Sequence, residues 1–332
     1  MKKFRDIIKY KYNFFLVVKN IFILPKIYKR SKIGVKKWLD YCFNYQRIGV
    51  DKNNIDINSL DYFYNDWKNI KNIVSKPVFN RENIDEIIIK GELGNISAII
   101  GLNENTTKWV IGLHGWTENK YLGLRLLNDF YKKGYNILSF DSFAHGLTYG
   151  NKTDIGYSTV KILDNIIKYI KDKFFASSIG LIGNSMGAST AILYIQNGLE
   201  RKNINWVVAD CGFADLLIQM RYKIQENEET NWPLISIGLC NKFKKETNTN
   251  IKKYSLIKKM KKISKVPILF IHPLGDTFIN YEHSLWMYNC KIKYEKQIES
   301  KIWMPLGSEH VLAISTYQNQ YFKKIEEFID KF

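Results

Sequence analysis

Arginine is scarce in this chain of 332 residues: of 50 basic side chains only seven are Arg, at positions 5, 30, 47, 81, 125, 201 and 221. Base-specific reading of nucleic acid relies on bidentate guanidinium forks, so the net charge of +18, carried mainly by Lys, does not point to a specific nucleic-acid partner. A solvated Lys-rich surface is the plainer reading. Cysteine is also sparse. Cys42, Cys211, Cys240 and Cys290 lie far apart with no C-x-x-C pair, which excludes a disulfide framework and a cysteine zinc site and fits a reducing, cytoplasmic compartment. The segment "GNSMGAS" lacks the G-K-[ST] ending of a phosphate loop. No H-E-x-x-H or paired carboxylate appears, so neither a metal nor a cofactor is expected.

Long apolar runs are missing as well. The longest, "NFFLVVKNIFIL" at 13–24, is interrupted by Lys19 and Asn20, closed by Pro25, and falls short of the roughly 18 to 20 residues that cross a bilayer. Lys19 and the lack of a small-x-small site disfavour a cleaved signal peptide. Residues 1–37 carry twelve Lys or Arg against the single acid Asp6. Three readings stay open for this segment: a helix packed on the core, association with an anionic membrane surface through residues 1–37, or an uncleaved anchor.

What is present is a foldable core, with 45% apolar and 14% aromatic residues. Residues 35–76 read as helical, with broad aromatic faces in "KKWLDYCFNY" and "LDYFYNDWKNIKNIV". A hairpin is predicted over 84–102, turning at Gly91–Asn95, followed by the buried strand "WVIGLHG". Strands "NILSFD", "IGLIGN", "NWVVADC" and "VPILFIHPLGD" then alternate with amphipathic helices, and a last strand near 301–304 precedes a final helix. The alternation predicts an α/β fold, a mostly parallel central sheet with helices on both faces. Lys-rich helical sequence between strands reads as a lid insertion. The predicted organisation is a basic, mostly helical extension over 1–83, an α/β core over 84–213 and 266–332, and a helical lid over 214–265.

Gly183-Asn184-Ser185-Met186-Gly187 sits where a predicted strand ends and a helix begins. Glycines two residues either side of a serine allow a turn too tight for side chains, which projects the hydroxyl above the sheet, so Ser185 is the expected nucleophile. A general base must be one of five histidines, at 114, 145, 272, 283 and 310. His114 and His145 precede the serine, His272 lies within a strand with a strand-end or core role, and His283 is expected on a helix exterior. His310, in the loop "PLGSEHVLAI", is the expected base. Asp276 is the leading acid to orient it, with Asp210 one strand over as the alternative. Asp141 is expected to cap a turn or order the loop "DSFAHG". Backbone N–H groups of Met186 and Trp116 are the expected oxyanion donors, and Gly115 leaves room for the substrate oxygen. Trp232, Leu234 and Phe243 of the lid are candidate substrate contacts, and an apolar lid suits a small uncharged acyl substrate.

The order Ser185, Asp276, His310, with "LHGWTENK", "FDSFAHGLTYG", "LIGNSMGAST", "ADCGFAD", "VPILFIHPLGD" and "GSEH" in sequence, resembles the α/β-hydrolase superfamily. It is most similar to a lidded bacterial branch related to esterases, acyl-thioesterases and serine aminopeptidases. The resemblance, from about residue 84 to 332, implies the α/β-hydrolase fold and a serine hydrolase acting on carboxylic esters or thioesters. A serine aminopeptidase-like peptidase and a non-catalytic binding protein on the same fold are the alternatives. Two positions depart from the family's pattern: Pro273 follows His272 where glycine is usual, and Ala144 precedes His145 where arginine or glycine is usual.

Overall fold

In the computed structural model, residues 24–70, 76–227 and 232–332 are described, the side chains of 24–32, 226, 227, 233 and 234 excepted. Residues 13–23 of the apolar run and 1–23 of the basic segment, with the membrane-surface and anchor readings attached to them, therefore lie outside the described residues. No described helix is long and apolar enough to cross a membrane.

The alternation seen in the sequence becomes a sheet of eight strands: β1 Asp85–Gly91, β2 Gly94–Gly101, β3 Lys108–Leu113, β4 Asn136–Phe140, β5 Ser178–Asn184, β6 Ile204–Asp210, β7 Ile268–Ile271 and β8 Lys301–Trp303. Their order is β1-β2-β4-β3-β5-β6-β7-β8. β1 and β2 form the expected antiparallel hairpin, β2 runs antiparallel to β4, and every later neighbour is parallel. Successive strand residues face opposite ways. On β5, Ile182 joins a cluster with Leu124, Leu127, Phe130, Phe322 and Phe328, from the helices Lys120–Lys132 and Gln318–Ile329. Its neighbour Gly183 faces the other way, onto Gly187 and Ala188 of the helix Met186–Asn197. Helices thus cover both faces, as the buried apolar strands require.

By contacts the chain divides into two compact units. The larger holds residues 46–214 and 256–332, hence the whole sheet. The smaller joins residues up to Tyr45 with 215–255. Within it, the helix Leu24–Phe43 packs on the inserted helices Leu216–Asn227 and Trp232–Thr247, with Phe43 and Phe243 rings 5.9 Å apart. Its ends are tied by Leu216 N–H donating to Tyr254 O at 3.1 Å. These divisions lie after 45, 214 and 255, where the sequence reading sets boundaries at 83, 213 and 265. Leu60, Phe63 and Trp67 put one face of the helix Leu60–Asn69 into the sheet's core cluster, and the buried Leu256, Met260 and Ile263 belong with the larger unit.

The continuous helical reading of 35–76 is corrected. Helix gives way after Phe43 and resumes at Leu60. Between them, Asp51 Oδ1 accepts the N–H groups of Asn53 and Ile55, Asn54 and Gly49 adopt positive φ, and Asp56 Oδ1 accepts Asn58 N–H. Short polar side chains that bond the backbone locally outcompete the helical ladder. Ser59 then caps the next helix by accepting Tyr62 N–H.

Candidate active site

Ser185 stands between β5 and the helix Met186–Asn197 at φ 53°, ψ −114°, a conformation that non-glycine residues rarely hold. It is tied by its own N–H to Asp210 O at 2.7 Å. A Cβ on Gly183 would lie 2.5 Å from the Gly187 carbonyl carbon, and one on Gly187 only 2.1 Å from Leu113 O. Both obstacles are backbone, which cannot rotate aside, so the G-x-S-x-G spacing follows from the close packing of β3, β5 and the helix.

His310 reaches this serine from the loop after β8. Its Nε2 is 2.9 Å from Ser185 Oγ and its Nδ1 is 2.6 Å from Asp276 Oδ2. A carboxylate only accepts, so Nδ1 carries the proton and the Nε2 lone pair faces the serine hydroxyl. Asp276 follows β7. Its Oδ1 accepts the Phe278 and Ile279 N–H groups, both at 2.9 Å, and its Oδ2 also receives His272 Nε2 at 3.1 Å. Burial pushes the Asp276 carboxyl up, but hydrogen bonds from His272 and His310 outweigh it and hold the group well below the usual carboxylate range. His272 is fully buried. Its Nε2 faces two acceptors, Asp276 and Ile279 O, so that nitrogen is the donor and Nδ1 accepts from Ser284 Oγ at 2.7 Å. The core role expected of His272 thus includes bracing Asp276.

A carboxylate depressed by folding stabilises the protein above its unfolded pKa of about 3.9, and that stability is lost as pH falls toward the folded value. Thermal melts of wild type and Asp276→Asn between about pH 6 and pH 2.5 are expected to show the steeper acid loss in wild type. Parallel curves would contradict this assignment of the charge.

The alternative acid, Asp210, is fully buried at the end of β6, where Tyr321 Oη donates to Oδ2 at 3.0 Å and Cys211 Sγ to Oδ1 at 3.1 Å. Burial raises its pKa. The structure gives His310 to Asp276. Asp141 accepts Lys120 N–H at 2.7 Å and Leu147 N–H at 2.9 Å, which caps one helix and orders the loop after β4.

The remaining histidines are buried. His114 Nδ1 bonds Gly115 O at 2.7 Å while Nε2 accepts Ser142 N–H at 3.0 Å, and burial pushes its pKa down. His145, whose Nδ1 bonds Phe143 O at 2.9 Å, is pushed well below its ordinary range by burial. His283, expected on a helix exterior, is instead fully buried: Nδ1 accepts Ala214 N–H at 3.2 Å, and burial pushes its pKa down to about 3.

Leu113 on β3 pairs with Gly183 on β5, so the loop carrying Gly115 and Trp116 emerges beside the turn carrying Ser185 and Met186. Met186 begins its helix, where the first N–H groups have no intrahelical partner. Gly115 N–H donates to Glu118 Oε2 at 2.6 Å, and Asn184 Nδ2 donates to the same oxygen at 3.2 Å. The sequence reading gives no role to Glu118 or Asn184, although they lie within "LHGWTENK" and Gly183-Asn184-Ser185-Met186-Gly187, because the motifs fix no residue type at those positions. Cys211 was passed over too. Its Sγ accepts Val311 N–H at 3.3 Å, beside His310, and lies with Asp276 and His310 in a group whose ligand-capable atoms all fall within 4.8 Å. Those of Asp276 and His310 are already spent on each other.

The lid candidates belong to the smaller unit. Phe243 is fully buried beside Phe43, the place of a core residue of that unit, and Trp232 is half-buried with the Arg221 guanidinium 5.6 Å from its ring. The side chain of Leu234 lies outside the described residues.

Comparison with known proteins agrees with this architecture. A family profile described as alpha/beta hydrolase fold matches residues 108–234. An uncharacterized protein of Bacillus subtilis, YqkD, is 28% identical over 228 residues, 68% of this chain and 72% of its own. Among solved structures, an esterase of Pyrococcus furiosus superposes with a TM-score of 0.63 at 21% identity, covering 87% of this chain and 99% of the esterase. An acylaminoacyl peptidase of Pyrococcus horikoshii does so with a TM-score of 0.56 at 18% identity, covering 74% of this chain and 41% of the peptidase. At such identities the structural likeness speaks for the fold.

Proposed function

This chain has the α/β-hydrolase fold, and we propose that it is a serine hydrolase cleaving carboxylic esters or thioesters through an acyl-enzyme on Ser185. One observation carries the reading: the unbroken line from Asp276 through His310 to Ser185, with gaps of 2.6 and 2.9 Å. A serine hydroxyl is a weak nucleophile until an adjacent base takes its proton, and a base so placed is idle unless its tautomer is fixed. Ser185 Oγ attacks the acyl carbon as His310 Nε2 takes the hydroxyl proton. Asp276 holds Nδ1–H and balances the imidazolium. The N–H groups of Trp116 and Met186 receive the negative charge that gathers on the former carbonyl oxygen. Collapse expels the alcohol or thiol, which leaves with the proton from Nε2. Water then repeats the sequence and frees the acid.

Esters and thioesters rank above peptides in this reading. A panel of p-nitrophenyl esters of rising chain length, with acyl-CoA and aminoacyl amides alongside, tests the choice. Turnover of esters or acyl-CoA well above that of the amides is expected. Faster amide cleavage would transfer the reading to a peptidase.

A further inference from the structure

Two loops must hold their backbone N–H groups at a fixed spacing if both are to meet one oxyanion, and the spacing has an identifiable cause. Glu118 Oε2 accepts Gly115 N–H at 2.6 Å and Asn184 Nδ2–H at 3.2 Å. Gly115 immediately precedes Trp116, and Asn184 is two residues before Met186. One carboxylate oxygen therefore bridges the bases of both oxyanion arms. Its other oxygen is bound by Arg125, which in turn meets Asp66 at 3.3 Å. Burial pushes Glu118 up, but the Arg125 charge and the Gly115 N–H outweigh it, so the carboxyl is held below its ordinary range and stays ionised. Two further details fit a clamp. A Cβ on Gly115 would come within 3.0 Å of Glu118 Oε2, so glycine permits the approach. Asn184 Oδ1 is buried without a hydrogen-bond partner, a cost that leaves the Nδ2 contact to Glu118 as the interaction that orients this side chain.

We infer that Glu118 is a positioning residue that sets the distance between the Trp116 and Met186 N–H groups; the inference rests on the serine hydrolase reading. Glu118 itself touches no reacting atom. Its loss should weaken what the site does for the transition state and leave ground-state binding alone.

The test compares wild type, Glu118→Gln and Asn184→Ala on a p-nitrophenyl ester and with a trifluoromethyl ketone of the same acyl chain. Ser185 Oγ adds to the carbonyl carbon of that ketone as its proton passes to His310 Nε2, and the negative charge stays on the former carbonyl oxygen. Removing a whole oxyanion donor costs about 100- to 1000-fold in kcat. Glu118→Gln is expected to lose about 10- to 100-fold, with KM within about twofold, ketone affinity falling in step with kcat/KM, and the acid limb of the pH profile unmoved. Asn184→Ala, which frees one arm only, should show a smaller loss of the same shape, and it serves alone if Glu118→Gln does not fold. Unchanged kcat and ketone affinity in the folded variants, or equal losses in KM and ketone affinity, would overturn the inference. A folded wild type with no ester turnover and no ketone binding would remove the hydrolase reading, and the inference with it.

Discussion

Ser185→Ala is expected to fold as wild type and to turn over p-nitrophenyl esters about ten-thousand- to million-fold more slowly, the scale seen when a triad nucleophile is removed. The loss should lie in kcat, because Oγ forms the bond to the acyl carbon and contributes little to binding the substrate at rest. Stability should move by about 1 kcal/mol, since the deletion removes one hydroxyl and its hydrogen bond to His310. A fluorophosphonate followed by intact mass gives the same answer without a substrate: wild type gains one adduct, and Ser185→Ala gains none. His310→Ala should reach a comparable floor, and combining the two should add little, because the residues act as a unit. A folded wild type that resists the label would support a binding protein on this fold instead.

Gly187→Ala is expected to be the most damaging small substitution in the chain. The added methyl would sit 2.1 Å from Leu113 O and 2.6 Å from the Leu113 carbonyl carbon. To clear it, either β3 must shift, which breaks its pairing of Ile111 with Leu181 and Leu113 with Gly183, or the helix Met186–Asn197 must lift. Lifting the helix carries Ser185 and the Met186 N–H away from His310. Overpacking of a close backbone contact costs about 3 kcal/mol or more, read as a fall in the denaturation midpoint. Activity per folded molecule should drop as well, which separates this variant from a merely unstable one. An Ala variant with wild-type stability and labelling would show that the strand and helix can part without loss.

Where local pattern decides conformation, the sequence was readable. The alternating strands and helices, the hairpin turning after Gly91 and the strained serine all follow from periodicity and turn chemistry within a few residues. The helical reading of 35–76 failed because aromatic faces on both sides masked Asp51, Asn54 and Asp56, whose local hydrogen bonds break the ladder. His283 was misplaced for a different reason: its burial depends on Ala214, 69 residues earlier. The choice between Asp276 and Asp210 turned on equally distant contacts. Asp210 ends β6 and Asp276 follows the neighbouring β7, and Asp210 is occupied by Tyr321, 111 residues away. Glu118 was invisible because a carboxylate in a polar loop looks like any solvated acid until Asn184 and Arg125 fold onto it.

The smaller unit imposes an order of events on a chain made from its N-terminus. The helix Leu24–Phe43 buries Val35, Leu39 and Cys42 in a unit whose other described helices begin at Leu216. All of β1 to β6 is synthesised between those two points. Through that interval the helix lacks the partners it has in Leu216–Asn227 and Trp232–Thr247, and closing so long a loop is slow compared with forming a hairpin. Its packing on Leu216–Asn227 and Trp232–Thr247 is thus made late, after the strands β1 to β6 that it precedes in the chain.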